Sequence, residues 1–210
     1  MRQLFEKHFS FWSQRSLRVS AVLSFLLLLL SLVINYLANL YTSLHASNYV
    51  SDLILDHLPV INVDFIFFEG FSLFLVFVAG LLIREPRKIP FVLKSIALFI
   101  LIRSAFMILT HVAIPPNHSY VDPNRLLEDI TSGSDLFFSS HTGLPYLMAL
   151  IFWNNKFLRI IFLLAAAFFG FSVLLGHLHY SIDVFSAFFI TYSIFKIAQR
   201  FFSKDYQLLD

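Results

Sequence analysis

Two histidines and an aspartate fall within the stretch GHLHYSIDVF, residues 176–185, which separates two strongly apolar segments. His179 and Asp183 are four positions apart at the predicted start of a helix, so their side chains share one face. The carboxylate of Asp183 would lie about 6 Å further along the helix axis. It could hold one imidazole nitrogen of His179 and leave the other basic, as in catalytic histidines. The alternative is a boundary histidine beside a solvated aspartate.

A second candidate is the stretch FFSSHTG, residues 137–143. Ser139 and Ser140 are residue types preferred at helix N-caps, and His141 would stand in the first helical turn. The unpaired N–H groups and positive dipole end of such a helix suit an anion such as phosphate. The helix beginning near His179 is predicted to start on the same side of a membrane, so both helix starts would point at one region. The alternative is an ordinary capped helix start.

Arg103 has apolar residues on both sides, in FILIRSAFM, and is predicted in the middle of a membrane span. A guanidinium there costs about 3 kcal/mol or more, so it should face the protein interior and meet an anion. That anion would be a substrate phosphate, bound in bidentate fashion. The alternative is a structural ion pair with Glu69, which is predicted as a buried carboxylate that pairs with Arg103 or positions a catalytic histidine.

Taken together, these residues supply two histidines, an orienting carboxylate, a guanidinium and two helix N-termini on one side of a membrane. This set is what phosphoryl transfer through a phosphohistidine requires. The chain has no cysteine, which excludes disulfides, thiolate metal sites and a cysteine nucleophile.

The composition indicates a membrane protein. Of the 210 residues, 58% are hydrophobic and only 13% are charged, against about 25% charged residues in a typical soluble domain. A bilayer-spanning helix needs about 20 apolar residues. We therefore predict an all-α integral membrane protein with six transmembrane helices, in one domain and without internal repeats. The predicted spans are Ala21–Leu40, Phe65–Ile83, Phe91–Ile114, Thr142–Trp153, Leu158–Leu175 and Ile182–Ala198.

The distribution of cations predicts the orientation. Of the fifteen Lys and Arg residues, thirteen lie in the predicted inner segments or at the inner ends of the spans, Arg103 lies in the middle of the third span, and Arg125 alone lies in the outer loops. The positive-inside rule then predicts that both termini are cytoplasmic. Residues 1–20 would form a cytoplasmic segment, 21–198 the catalytic membrane domain and 199–210 a cytoplasmic tail. The predicted helix starts that carry His141 and His179, and with them the active site, would lie on the non-cytoplasmic side.

The segments SDLFFSSHTG and HYSIDV resemble the sphingomyelin synthase branch of the type 2 phosphatidic acid phosphatase superfamily, which carries G-D-x-x-x-S-G-H-T and a later H-Y-[ST]-x-D-V. The third span, with Arg103 at the family's arginine, is also similar. The resemblance covers most of residues 58–194. The matching positions are Asp135, Ser139, His141 and Thr142 in the first motif, and His179, Tyr180, Ser181, Asp183 and Val184 in the second.

The resemblance implies a mechanism. His179 would attack phosphorus, oriented by Asp183, and His141 would protonate the leaving alcohol and deprotonate the acceptor. The substrate would be a phospholipid in the surrounding membrane and the acceptor water or a lipid alcohol such as ceramide or diacylglycerol. Neither a metal nor another cofactor is implied. The substrate-binding residues would be Arg103, Ser139, Ser140, Thr142, Tyr180, Asp135 and Glu69.

The chain also departs from the family pattern, because serines replace the motif glycines at positions 134 and 140. Two other classes remain open. A metal-dependent membrane hydrolase could use a site at His141, His177, His179 and Asp183. A lipid or proton-coupled transporter could use the same polar residues as its path. Nothing in the sequence indicates a nucleic-acid partner, since the cations line the predicted cytoplasmic membrane face, where anionic lipids are their neighbours.

Overall fold

The computed structural model describes residues 2–45, 47–119 and 136–209, and within these ranges every regular element is a helix. Short turns of other helix types occur at Leu55–His57, Ile66–Gly70 and Pro86–Lys88, the second being a π-helical turn that leads into α3. The α-helices are α1 Arg2–Ser13, α2 Arg15–His45, α3 Phe71–Arg84, α4 Ile89–Leu109, α5 Ser140–Ile151, α6 Lys156–Leu175, α7 Ser181–Phe201 and α8 Ser203–Tyr206.

Five of these helices are long and apolar enough to cross a membrane. They coincide with five of the six predicted spans, and their bounds are Arg15–His45, Ile66–Arg84, Pro86–Leu109, Lys156–Leu175 and Ser181–Phe201. The fourth predicted span corresponds to α5, which has 12 residues and a length of about 18 Å. That length is shorter than the roughly 30 Å apolar core of a bilayer. The six-span count and the cytoplasmic termini therefore remain predictions.

The short helix α5 lies inside the bundle. It packs on α6 and α7, and nine of its residues are buried, including Gly143 and Pro145. A Cβ atom on Gly143 would lie 2.6 Å from the ring of Phe99 in α4 and 2.9 Å from Thr191 Oγ1 in α7. Only glycine therefore allows α5 to approach both neighbours this closely. The long helix α2 packs mainly along α4 and leaves most of its surface exposed.

Two connections cover the end of the bundle where α5 and α7 begin. The backbone of residues 47–48 is hydrogen-bonded to residues 111–113, which pairs the connection after α2 with the one after α4. Ile61 donates its backbone N–H to Leu175 O, and Ser119 donates to Gly176 O. Both connections are thereby fixed to the turn between α6 and α7, which carries His179.

Candidate active site

His179 and Asp183 form a buried pair at the start of α7. The Nδ1–H of His179 donates to Asp183 Oδ2 at 3.3 Å, and the backbone N–H of Tyr180 donates to the same oxygen at 3.0 Å. His179 is 2% and Asp183 4% exposed. Because Nδ1 carries the proton, Nε2 of the neutral ring has a free lone pair. Asp183 thus caps its own helix and fixes the tautomer and orientation of His179.

The turn that delivers His179 depends on a helix C-cap in which His177 has the left-handed backbone conformation, with φ 52°. The N–H of Leu178 bonds to Val173 O and the N–H of His177 to Leu174 O, which is the Schellman arrangement. The His177 side chain is not hydrogen-bonded to His179; its Nε2–H donates to Leu58 O at 3.2 Å. His177 therefore has a structural role in this turn.

His141 lies in the first turn of α5 and is also buried. Its Nε2–H donates to the carbonyl oxygen of Phe67 at 3.2 Å, in the π-helical turn before α3. The rings of Phe67 and Phe71 pack against the imidazole, with centroid distances of 4.0 and 4.2 Å. Nδ1 has no hydrogen-bond partner among the described residues. The unprotonated nitrogen of His141 is therefore buried and available.

The starts of α5 and α7 are in direct contact. The backbone N–H of Ser139 donates to the carbonyl oxygen of Asp183 at 3.0 Å. His141 lies within electrostatic reach of both His179 and Arg103. Ser139 Oγ and Thr142 Oγ1 are buried and, in the part of the chain that is described, have no partner. Two hydroxyls and one imidazole nitrogen thus stand unsatisfied where the two helices meet, which is unusual unless a ligand or water binds there.

The expectation that both helix N-termini present free N–H groups is wrong for α7. The N–H of Tyr180 is bonded to Asp183, and the N–H of Ser181 donates to Asp52 Oδ2 at 2.7 Å. Two carboxylates therefore occupy this positive helix end. At the start of α5, by contrast, no side chain caps the helix. The Ser139 hydroxyl makes no capping bond, and the first helical hydrogen bond is made by the N–H of Gly143.

Arg103 is buried, at 4% exposure, and directed toward the segment before α5. Its Nε–H donates to Phe138 O at 3.3 Å, and Nη1 contacts Met107 Sδ at 3.2 Å. Phe138 has a left-handed φ of 24°. The helix α4 ends at Leu109, five residues before the predicted end of the third span, and Arg103 lies about 9 Å from that helix end. The backbone leaves the helix earlier than the apolar run because residues 111–113 pair with the loop after α2. The depth of Arg103 in a membrane stays a prediction.

Sequence reasoning did not find Asp52, which is buried and joins the loop after α2 to α7. Besides Ser181, its carboxylate accepts hydrogen bonds from the N–H groups of Ile54 at 2.9 Å and Leu55 at 3.2 Å. Burial alone would raise the pKa of Asp52, but the bonds from Ser181, Leu55 and Ile54 outweigh it and lower that pKa below its usual 3.8. The ionised form of Asp52 is therefore favoured, and it anchors Ser181, the first residue of α7.

Tyr180 is buried with its hydroxyl directed into the two outer connections. The hydroxyl donates to Ala113 O at 2.8 Å and accepts from the N–H of Val50 at 3.2 Å. Through these two hydrogen bonds Tyr180 links the connections after α2 and after α4 to the start of α7. The predicted contact of Tyr180 with substrate stays a prediction.

The other residues predicted to bind substrate are Glu69, Ser140 and Asp135. Glu69 lies in the π-helical turn and is exposed, so its predicted burial is wrong: its side chain projects outward where α3 begins. Ser140 is half-buried as the first residue of α5. Asp135 lies outside the described residues. In the described ranges no group of three or more His, Asp or Glu side chains is arranged to hold a metal ion.

The fold and these contacts define an all-helical membrane protein with a buried histidine–aspartate pair and a second buried histidine nearby. Residues 133–200 match the family model described as PAP2 superfamily C-terminal, which spans both histidines. The match supports the type 2 phosphatidic acid phosphatase superfamily, whose members are generally phosphatases. No curated protein and no solved structure matches the chain.

Proposed function

We propose that this protein is a membrane lipid phosphatase or phosphotransferase that acts on a phospholipid through a phosphohistidine at His179. The observation that carries the proposal is the bond from His179 Nδ1–H to the buried carboxylate of Asp183, which directs the Nε2 lone pair toward substrate. The nearby His141, with its unpartnered Nδ1, supplies the second proton-transfer group. The family match over residues 133–200 supports the same class of reaction.

In the first step, His179 Nε2 attacks phosphorus, the P–N bond forms and the P–O bond to the leaving alcohol breaks. His141, neutral in the free site, takes up a proton on Nδ1 together with the anionic phosphate of the substrate. It keeps its Nε2–H on Phe67 O and gives the Nδ1 proton to the leaving oxygen. Asp183 stabilises the positive charge that develops on His179.

In the second step, water or a lipid alcohol attacks phosphorus while His141 Nδ1 takes its proton. The P–N bond breaks, and His179 returns to the neutral tautomer held by Asp183. With water as the acceptor the enzyme is a phosphatase. With ceramide or diacylglycerol it is a phosphotransferase that moves the phospho-head group, as in sphingomyelin synthases. Arg103 would balance the charge on the non-bridging oxygens, supported by its electrostatic reach to His141.

The test is a panel of phospholipids incubated with the purified protein in detergent, with and without ceramide or diacylglycerol, in the presence of EDTA. Mass spectrometry of the lipids and an assay for inorganic phosphate identify which product is released. We expect turnover of at least one phospholipid and its loss in His179→Ala and in His141→Ala.

The matched control is His177→Asn, two residues before His179, because asparagine tolerates the left-handed conformation of that position. This variant should keep most of the activity. A phosphoenzyme that is acid-labile, alkali-stable and absent in His179→Ala would support the covalent intermediate. Full activity in both alanine variants would show that the site is assigned wrongly.

A further inference from the structure

The N-terminal helix α1 has an aromatic face that no other part of the described chain covers. Phe5 and Phe9 are 73% and 70% exposed, and Trp12 is also exposed. Their spacing places the three rings on one side of the helix. On the other side, Phe11 is fully buried against Leu17 and its neighbours in α2. A helix with this pattern beside a membrane span lies in the bilayer interface, with its aromatic face in the lipid.

The opposite side of α1 is fixed to the end of α3. Lys7 Nζ forms an ion pair of 2.5 Å with Glu85 Oε1, and His8 Nε2–H donates to Ile83 O at 2.7 Å. These contacts join residues that are 78 and 75 positions apart in the sequence. The helix α1 is therefore part of the folded bundle and forms one wall of the space between it and the end of α3.

A basic cavity of about 860 Å³ lies between α1 and the turn that joins α3 to α4. Four cationic side chains and two carboxylates line it: Lys7, Arg84, Arg87, Lys88, Glu6 and Glu85. Of these, Lys7 is paired with Glu85. Lys88 donates to the backbone carbonyl of Leu209 at 2.8 Å and forms no ion pair with any residue that the structure describes.

Arg84 and Arg87 carry the charge that defines this cavity. Both are exposed, and within the described ranges neither has an ion-pair or hydrogen-bond partner. Two guanidiniums that form no ion pair with the carboxylates of the cavity lining, beside the cation of Lys88, are suited to binding phosphate oxygens. Ile83, at the end of the same helix, is exposed on the apolar surface of the bundle. A phosphate in the cavity could therefore belong to a molecule whose acyl chains follow that surface.

We propose that this cavity binds the phosphate of an anionic membrane phospholipid, at a site separate from His179. The α3 helix begins with Phe71 against His141 and ends at Arg84 in the cavity, so its 14 residues separate the two sites by about 20 Å. The bound lipid holds α1 against the bundle. Basic cavities at membrane boundaries bind anionic head groups in this way.

Binding is measured by native mass spectrometry on the full chain, titrated with dioleoylphosphatidylglycerol and separately with dioleoylphosphatidylcholine. The protein carries His179→Ala, so that the measurement does not depend on turnover. We expect clear preference for the anionic lipid, and about tenfold weaker binding of it in Arg84→Gln/Arg87→Gln. The matched control is Arg200→Gln, an exposed arginine that does not line the cavity. It should change the affinity less than twofold.

Equal affinity in the double variant and its parent, or an equal loss in Arg200→Gln, would overturn the proposal. Inorganic phosphate distinguishes the two sources of the ligand group. If millimolar phosphate fails to displace the lipid, the site recognises the whole phospholipid; displacement would assign it to free phosphate instead and refute the lipid site. Loss of activity in His179→Ala has no bearing on this outcome.

A second measurement leaves the arginines intact. The chain has two tryptophans, so Trp153→Phe leaves Trp12 as the single fluorophore, on the exposed face of α1, the helix that forms one wall of the cavity. In vesicles of phosphatidylcholine with a minor fraction of acyl-brominated lipid, brominated phosphatidylglycerol should quench Trp12 at least twofold more than brominated phosphatidylcholine. Equal quenching by the two lipids would contradict a site selective for anionic phospholipid.

Discussion

The carboxylate of Asp52 accepts a hydrogen bond from the backbone N–H of Ser181 at 2.7 Å, across 129 positions of sequence. Ser181 is the first residue of α7, two positions after His179. The same carboxylate is held by the N–H groups of Ile54 and Leu55. The loop after α2 thereby fixes the position at which α7 begins, and with it the orientation of His179.

Asp52 acts through Ser181 and not through a contact with substrate, so Asp52→Ala should reduce activity by displacing His179. We expect kcat to fall about tenfold, since a displacement of the attacking group by a fraction of an ångström costs that much, while KM stays within about twofold. Asp56→Asn is the matched control, because Asp56 is an exposed carboxylate of the same loop. The measurement is steady-state kinetics on the lipid that the panel identifies. An unchanged kcat in Asp52→Ala would mean that the Asp52–Ser181 bond does not position His179.

Asp52 also predicts how stability depends on pH. Hydrogen bonds lower the pKa of its carboxyl in the folded protein below 3.8. A depressed pKa means that the folded state favours the ionised form, so the stabilisation is present above about pH 4 and is lost as pH falls through the folded pKa. The melting temperature of the wild type should exceed that of Asp52→Asn near pH 6, and the difference should shrink below about pH 4. A difference that stays constant from pH 3 to 7 would contradict this linkage.

The local parts of the site could be predicted from sequence, and the long-range parts could not. The spacing of His179 and Asp183 predicts their contact because both stand on one helical turn. The bond of Asp52 to Ser181 joins distant segments, and its only sequence signal is an aspartate before a short helical turn. The packing of Phe67 and Phe71 on His141 depends on the π-helical turn Ile66–Gly70, which has no recognised periodicity.

The fold, like the site, could be predicted from sequence only in its local features. Hydropathy predicted the five long helices, because a bilayer requires a minimum apolar length. It placed the end of the third predicted span at Ile114, whereas α4 ends at Leu109. Apolar composition alone cannot distinguish the last turn of a helix from an apolar loop that pairs with another loop.

The close approach of α5 to its neighbours predicts a large effect at Gly143. A Cβ there would overlap the ring of Phe99, so Gly143→Ala should destabilise the protein by about 1–3 kcal/mol and displace His141. Gly80→Ala is the control, because a Cβ at Gly80, in α3, meets nothing within 4 Å. That variant should be neutral or slightly stabilising. Thermal unfolding of both variants can be followed with a fluorescent dye that does not require a cysteine. Equal melting temperatures of the two variants would refute the packing argument.

Tyr180 allows its structural role to be separated from its predicted contact with substrate. Tyr180→Phe removes the hydroxyl that bonds the Ala113 carbonyl and the Val50 N–H, both only partly buried, at a cost of about 1 kcal/mol. If the role is structural, as the contacts describe, the melting temperature falls and KM is unchanged. Tyr192→Phe, an exposed tyrosine of α7, is the control and should alter neither. A rise in KM with no loss of stability would favour the substrate role instead.

Arg103 provides the sharpest test of charge balance on the substrate phosphate. Arg103→Lys keeps the charge but removes the planar donor set and the Nε–H bond to Phe138 O. We expect kcat/KM to fall about a hundredfold, equivalent to about 2.7 kcal/mol of transition-state stabilisation. The control Met107→Leu removes only the sulfur contact of Arg103 and conserves volume, so it should retain activity within about threefold. Equal activity of Arg103→Lys and the wild type, measured on the same lipid, would show that Arg103 has only a structural role, and the charge on the non-bridging oxygens would then have to be balanced by other groups.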